Sequence, residues 1–298
     1  MTYIVGYGLH NDDQSAIELA CQFARSQPEP VHVVTVVPRG WATPVAAGDT
    51  DREFKAWAAQ EGERSAETAR GFLSAHPEIE SSASWVSGRS VPQTLLERAA
   101  ELEGTLVVVG SGDDAPDGRI GLTSKTHRLV HSSEIPVAIA PQGYRADGPV
   151  ARLTVAFRDD DAGWTLLTAA ADICRRVNAR LRIVTFLVTP GRMATTSVSH
   201  AETQVIERWK IQVASAQRGA REHLSSTGFA DDDLELSLAE GVDWAQAVGS
   251  LDWVEGDVLL VGSSSTHRLA QVFLGSSATK IIRYAPVPVI AVPGAAVG

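Results

Sequence analysis

Apolar residues along this chain fall into two alternating kinds of run. Short unbroken runs, such as Val258-Leu259-Leu260-Val261, alternate with longer stretches in which apolar residues return every three or four positions. The first kind marks a strand buried on both faces, the second a helix with one apolar side. In the second half of the chain the order is strand over 153–157, helix over 164–177 and strand over 181–188. Val205, Trp209, Val213, Ala216, Ala220 and Leu224 follow in steps of 4, 4, 3, 4 and 4, a single apolar helical stripe. Leu234, Leu236 and Leu238 alternate and predict a strand. A short helix over 244–253, a buried strand over 258–261, a helix over 276–284 and a strand over 287–292 complete the series. Strands of this kind between helices form a parallel sheet covered on both faces.

The same series occurs earlier in the chain. An offset of 152 sets Val109-Gly110 against Val261-Gly262, Trp57 against Trp209, and Ile135-Pro136-Val137 against Val287-Pro288-Val289. An offset of 153 sets Cys21 against Cys174, and one of 150 sets Val31-His32-Val33 against Leu181-Arg182-Ile183. The order of the elements is kept while the offset drifts by a few residues, as loop insertions produce. The chain therefore reads as an internal duplication, with domains over 1–142 and 151–298. The stretch between them, Gln142-Gly143-Tyr144-Arg145-Ala146-Asp147-Gly148-Pro149, is polar and rich in Gly and Pro, and reads as a linker. Each domain is expected to be doubly wound, a five-stranded parallel sheet with helices on both faces.

Composition narrows the function. The 298 residues are 44% hydrophobic, enough to fill two cores, and carry a net charge of −10. So acidic a chain lacks the footprint for nucleic acid or an anionic membrane surface. No apolar run approaches the ~20 residues of a membrane span. The first residues, Met1-Thr2-Tyr3-Ile4-Val5-Gly6, lack a basic leader and read as a strand, so a cytoplasmic protein is expected. Two cysteines are too few for a disulfide framework and read as small buried residues.

Candidate chemistry concentrates where the strand at Val261 ends. Gly262-Ser263-Ser264-Ser265 is followed by nine residues and then Gly275-Ser276, which opens a helix. Small residues let a ligand approach the backbone, and a helix N-terminus offers free amides and a positive dipole end to an anion. This order resembles the nucleotide loop of the universal stress protein family, G-x-x-G-x(9)-G-[ST], with Ser265 in place of one glycine. The resemblance extends over nearly all of each copy and includes the closing V-P-V-x-x-V-P strand. It implies an adenine nucleotide alpha hydrolase-like fold, pairing of the last strands (137–140 with 289–292) in an intramolecular pseudo-dimer, and a bound ATP or AMP. A homodimer of whole chains stays open. The implied nucleotide site in copy two comprises Val261, Gly262, Ser263, Ser264, Ser265, Gly275, Ser276 and Ser277. Phe186 joins it as an apolar wall beside the base, a place Val36 takes in copy one; both also suit the core. The family's adenine-reading aspartate falls on Arg158, or on Asp159 with a one-residue insertion.

Copy one offers a weaker site at Gly110, Ser111, Gly112 and Ser124. Asp113 and Asp114 would repel phosphates there, and Thr123-Ser124 stands in place of Gly-Ser. Residues 1–149 hold 12 basic and 20 acidic side chains, a net of −8, against 14 and 16, a net of −2, in the remainder. A polyanion suits copy two better. Asp159-Asp160-Asp161 reads as a solvated loop that caps the next helix, so Mg²⁺ is expected only together with a nucleotide. Asp231-Asp232-Asp233 has the same reading, Arg268 is either a phosphate clamp or a solvent-facing cation, and His127 and His267 lack partners at metal-ligand spacing. No nucleophile, base and orienter can be assembled, so no catalytic residue is assigned. The expectation is a stress-response protein that binds an adenine nucleotide without rapid turnover. A ligand-free scaffold of the same fold is the alternative, and a slow ATPase the second.

Overall fold

The computed structural model describes residues 1–9, 13–39, 48–189, 198–263 and 274–294, with side chains described from 52 and 203 onward in the helices that begin at 48 and 198. Ser264, Ser265, His267 and Arg268 lie outside the described residues. In the first half, strands β1 (Thr2–Tyr7), β2 (Val31–Pro38), β3 (Ser81–Gly88), β4 (Gly104–Val109) and β5 (Val137–Ile139) alternate with helices α1 (Ser15–Ser26), α2 (Gly48–Leu73), α3 (Val91–Glu101) and α4 (Ser124–Ser132). In the second half, β6 (Arg152–Ala156), β7 (Arg180–Val188), β8 (Leu234–Gly241), β9 (Asp257–Ser263) and β10 (Val289–Pro293) alternate with α5 (Asp161–Val177), α6 (Val198–Ser226), α7 (Trp244–Gly249) and α8 (Ser276–Tyr284).

The ten strands form one sheet in the order β3-β2-β1-β4-β5-β10-β9-β6-β7-β8. Within each half every pairing is parallel, and the halves join through an antiparallel pairing of β5 with β10, where Ile290 faces Ala138. This is the junction of last strands that the resemblance implies. Each half alone would leave an apolar edge of unpaired peptide groups, and the seam removes both edges. Successive side chains alternate between faces, so each face of the sheet has its own core. Val5, Val108, Ala138, Leu153 and Ile290 pack on one face, and Ile4, Val107, Val137, Leu259 and Val289 on the other. Both cores run across the seam, which makes the two halves one packed body. Cys21 and Cys174 are buried in the first core, and desolvation pushes both thiols up to about 12. They are inert packing residues, as the sequence leads one to expect.

The helix expected over 244–253 ends at Gly249, and two further readings change more. The helical stripe on α6 is buried only at its end: Ala220 and Leu224 are buried, while Val205 and Trp209 are 45% and 47% exposed. The reason is length. A helix of 29 residues runs about 44 Å, whereas the nine-residue strand β7 beside it runs about 30 Å, so the first turns overhang the sheet. The linker is no free tether either. The Tyr144 amide donates to Ser15 Oγ at 2.8 Å, its hydroxyl donates to Gln22 Oε1 at 2.7 Å, and the Val150 amide donates to Ser26 Oγ at 2.7 Å. Ser15 and Gln22 are buried, and the linker adds hydrogen bonds to these polar groups on α1.

His32 on β2 gives the fold a measurable pH signature. Its two ring nitrogens each lie 2.8 Å from a serine hydroxyl, of Ser82 and Ser84. Burial, with the Arg98 charge second, holds its pKa below the ordinary histidine value. A histidine depressed in the folded state stabilises above its unfolded pKa of about 6.5, and that contribution is lost as pH falls below it. The urea midpoint should therefore fall between pH 7 and pH 5, and fall less in His32→Gln, whose amide can still serve both serines. Equal falls in the two proteins would show that His32 is not the titrating group.

Candidate functional site

In open parallel sheets the ligand edge is the carboxyl end of the strands. In the second half, that edge is built from the ends of β6, β7 and β9 and the starts of α5, α7 and α8. After β6 the chain passes through Arg158 and Asp159 to Asp160, which caps α5 by accepting from the Gly163 amide at 2.9 Å. A Cβ on Gly163 would stand 1.8 Å from the Arg158 carbonyl oxygen, so only glycine lets α5 start this close to the strand end. Arg158 and Asp160 form an ion pair. At the neighbouring corner, β9 ends at Ser263, whose hydroxyl donates to the Val292 carbonyl at 3.0 Å. Gly275 then occupies the N-cap of α8, with φ −60° and ψ 157° and no side chain capping the helix. The first-turn amides of a helix lack an intrahelical partner, and its dipole end is positive.

These elements enclose a cleft of about 320 Å³, at the small end of ligand pockets. Val261, Gly262 and Ser263 line one side, and Gly275, Ser276 and Ser277 line the next. Phe186 lines the cleft and is accompanied by Trp244, their ring centroids 6.3 Å apart. The Lys280 ammonium lies 5.9 Å from the Trp244 ring centroid. Asp159 is placed elsewhere. It is absent from the lining, and its carboxylate accepts from the Trp164 indole N–H at 2.9 Å. The residues at that position of the cleft are Arg158 and Asp160. Trp244 was not singled out from the sequence. The sequence does carry a signal, since Asp243-Trp244 follows β8 after one residue, at the carboxyl end of the strands; Asp243 caps α7 by accepting from the Gln246 amide at 2.8 Å.

The equivalent corner of the first half is folded shut. The Gly112 amide donates to the Gly121 carbonyl at 2.9 Å, and the Gly121 amide donates to Ser111 Oγ at 2.7 Å. Amides that could hold an anion are thus used inside the loop. A Cβ on Gly112 would stand 2.8 Å from Thr123 Cγ2, which leaves no room beneath it. Helix α4 opens at Ser124, but Thr123 caps it, accepting from the Thr126 amide at 3.1 Å. Asp13 adds a carboxylate oxygen 3.8 Å from the place of a Cβ on Gly110. The sequence pointed to repulsion by Asp113 and Asp114; the structure adds Asp13 and the closed loop. Among the described residues, no cluster of three or more His, Cys, Asp or Glu side chains could hold a metal ion, and no helix is long and apolar enough to cross a membrane.

The sequence model of the Universal stress protein family matches the chain twice, over residues 2–141 and 150–293. A universal stress protein of Mycobacterium tuberculosis (strain H37Rv) is 35% identical over 297 residues, which is 99% of this chain and all of that protein, and one of Mycobacterium bovis is similar to the same extent. A solved universal stress protein from Archaeoglobus fulgidus has the same fold at 15% identity, with a TM-score of 0.62 and 98% of each chain covered. Strand order, seam and sequence agree: this chain belongs to the universal stress protein family and carries two tandem domains of that fold.

Proposed function

We propose that the protein binds one adenine nucleotide, ATP or AMP, in its second domain and acts through that binding rather than through rapid turnover. The observation that carries this reading is the uncapped start of α8, open to a cleft with an aromatic wall. Phosphates would lie over the turn that begins at Gly262 and Ser263, against the amides of Gly275, Ser276 and Ser277. The base would lie toward Phe186 and Trp244. Mg²⁺ would arrive on the nucleotide phosphates, since the described residues supply no ligand cluster of their own. The domain boundaries expected from the duplication, 1–142 and 151–298, put this whole site within the second domain. The first domain, with its loop amides consumed and Asp13 beside Gly110, would serve as the structural partner.

Binding without turnover is favoured by the state of the one carboxylate lining the cleft among the described residues. Asp160 holds the helix cap and the Arg158 ion pair, and so is not free to act as a general base. Calorimetric titration with ATP should give one site per chain, and mass spectrometry of natively purified protein should find ATP, ADP or AMP. Two equal sites would overturn the asymmetry. No heat and no co-purified nucleotide would favour the ligand-free scaffold.

A further inference from the structure

We propose that this cleft holds the base by stacking on Trp244 and accepts purine nucleotides without preferring adenine to guanine, an inference that rests on the nucleotide reading above. Adenine and guanine differ at one edge: adenine donates from its amino group where guanine presents a carbonyl acceptor. A site that insists on adenine needs a protein acceptor waiting for that amino group. The carboxylates at the end of β6 are not waiting. Asp160 accepts from the Gly163 amide at 2.9 Å and is ion-paired with Arg158, and Asp159 is turned to Trp164. Arg158 can only donate, which suits a guanine carbonyl at least as well as anything on adenine.

The hydroxyls that line the cleft do not restore a preference. Thr185 Oγ1 donates to the Phe157 carbonyl at 3.2 Å and Ser263 Oγ donates to the Val292 carbonyl at 3.0 Å. A hydroxyl that remains free both donates and accepts, so it serves either base. What the cleft does offer a base is an aromatic surface. Trp244 is half-buried, backed by Phe186, and held at the start of α7 by the Asp243 cap. The turn before it is tight, because a Cβ on Gly241 would stand 2.4 Å from the Ala247 amide nitrogen. The indole is therefore placed before any ligand arrives. Stacking on an aromatic side chain tolerates every base, because every base has a π-face. The larger purine ring overlaps more of the indole than a pyrimidine does.

Calorimetric titration of the intact protein with ATP, GTP and UTP tests this, beside Trp244→Ala and Trp244→Phe. The expected result is ATP and GTP affinities within about fivefold of each other and UTP weaker. Trp244→Ala should weaken ATP and GTP alike by about tenfold or more, while Trp244→Phe should lose far less, in line with the usual contribution of one stacked base. Nucleotide should also quench tryptophan emission in the parent and much less in Trp244→Phe, a readout that loss of packing alone would not give. ATP binding a hundredfold or more tighter than GTP would overturn the inference and leave the nucleotide reading standing. An unchanged affinity in Trp244→Ala would do the same. Failure of all three nucleotides to bind the parent would remove the nucleotide reading, and this inference with it.

Discussion

Gly275→Asp should weaken ATP binding about a hundredfold and leave the fold intact. The backbone at Gly275 has φ −60°, which any residue adopts, and an added Cβ would meet nothing within 4 Å. The variant therefore adds no steric or conformational cost to the protein itself, and aspartate is a favourable helix cap. What it adds is a carboxylate at the spot where the α8 amides face the cleft. At about 5 Å and an effective dielectric of about 20 to 40, one phosphate charge and that carboxylate repel by about 2–3 kcal/mol. The new side chain would also accept from the very amides that a phosphate needs. Thr123→Asp is the matched control at the start of α4, where a cap is already present. It should leave ATP affinity unchanged. Calorimetry on the two variants and the parent decides: equal losses would sink the assignment of the site to the second domain, and an unaffected Gly275→Asp would sink the role of α8.

Asp257→Ala should cost about 3–5 kcal/mol of folding stability, the range for breaking one partner out of a buried ion pair. Asp257 opens β9 and is 1% exposed. Its carboxylate takes Nε and Nη2 of Arg152 at 2.9 and 2.7 Å and the Val254 amide at 3.0 Å. Arg182, on the second strand of the same half, is also 1% exposed, with its Nη2 at 3.6 Å from Asp257. Arg182 is otherwise held by Thr154 Oγ1 at 3.0 Å, by the Asp252 carbonyl at 2.7 Å, and by the Trp253 ring at 4.7 Å. Burial, together with the Arg152 charge, holds the Arg182 pKa below its ordinary value. Without Asp257, the half-exposed Glu235, 2.9 Å from Arg152 and 3.9 Å from Arg182, is among the described residues the one carboxylate left to two guanidinium groups. Against a usual stability of about 5–15 kcal/mol, the urea midpoint should fall steeply. Glu63→Gln, at an exposed ion pair with Arg70, should not move it. A change of under about 1 kcal/mol in Asp257→Ala would mean that Arg152 and Arg182 find other partners. Asp257 begins its strand whereas the cleft lies where the strands end, so ATP affinity measured well below the transition should be unchanged.

Much of this molecule was legible as a one-dimensional pattern. The duplication, the alternation of strand and helix, the span of α8 over 276–284 and the strand that ends beside Gly262 all follow from apolar periodicity and from small residues between elements. Those signals are local, because a side chain's face is set by its neighbours within one or two turns. The family motif added the pairing of last strands, which periodicity alone does not specify. Net charge by itself favours copy two over copy one for an anion, since a sum over residues needs no coordinates.

Only the tertiary structure decided which polar groups are already spent. Asp159 and Asp160 are adjacent in sequence, yet one serves Trp164 and the other caps α5 inside the cleft. Arg182 sits between Leu181 and Ile183 on β7; strand register sets it opposite Thr154 and near Asp257, which makes its burial tolerable. The copy-one loop kept its glycines but lost its amides to Gly121 and Ser111, and the linker lies along α1, hydrogen-bonded to Ser15 and Gln22. Trp244 became part of the cleft because β7 and β8 pair in parallel and end together, bringing α7 beside Phe186. Each of these is a hydrogen bond or contact between residues separated by register and packing. A residue's own neighbours determine which way it faces, but what it meets there depends on strands far away in the chain.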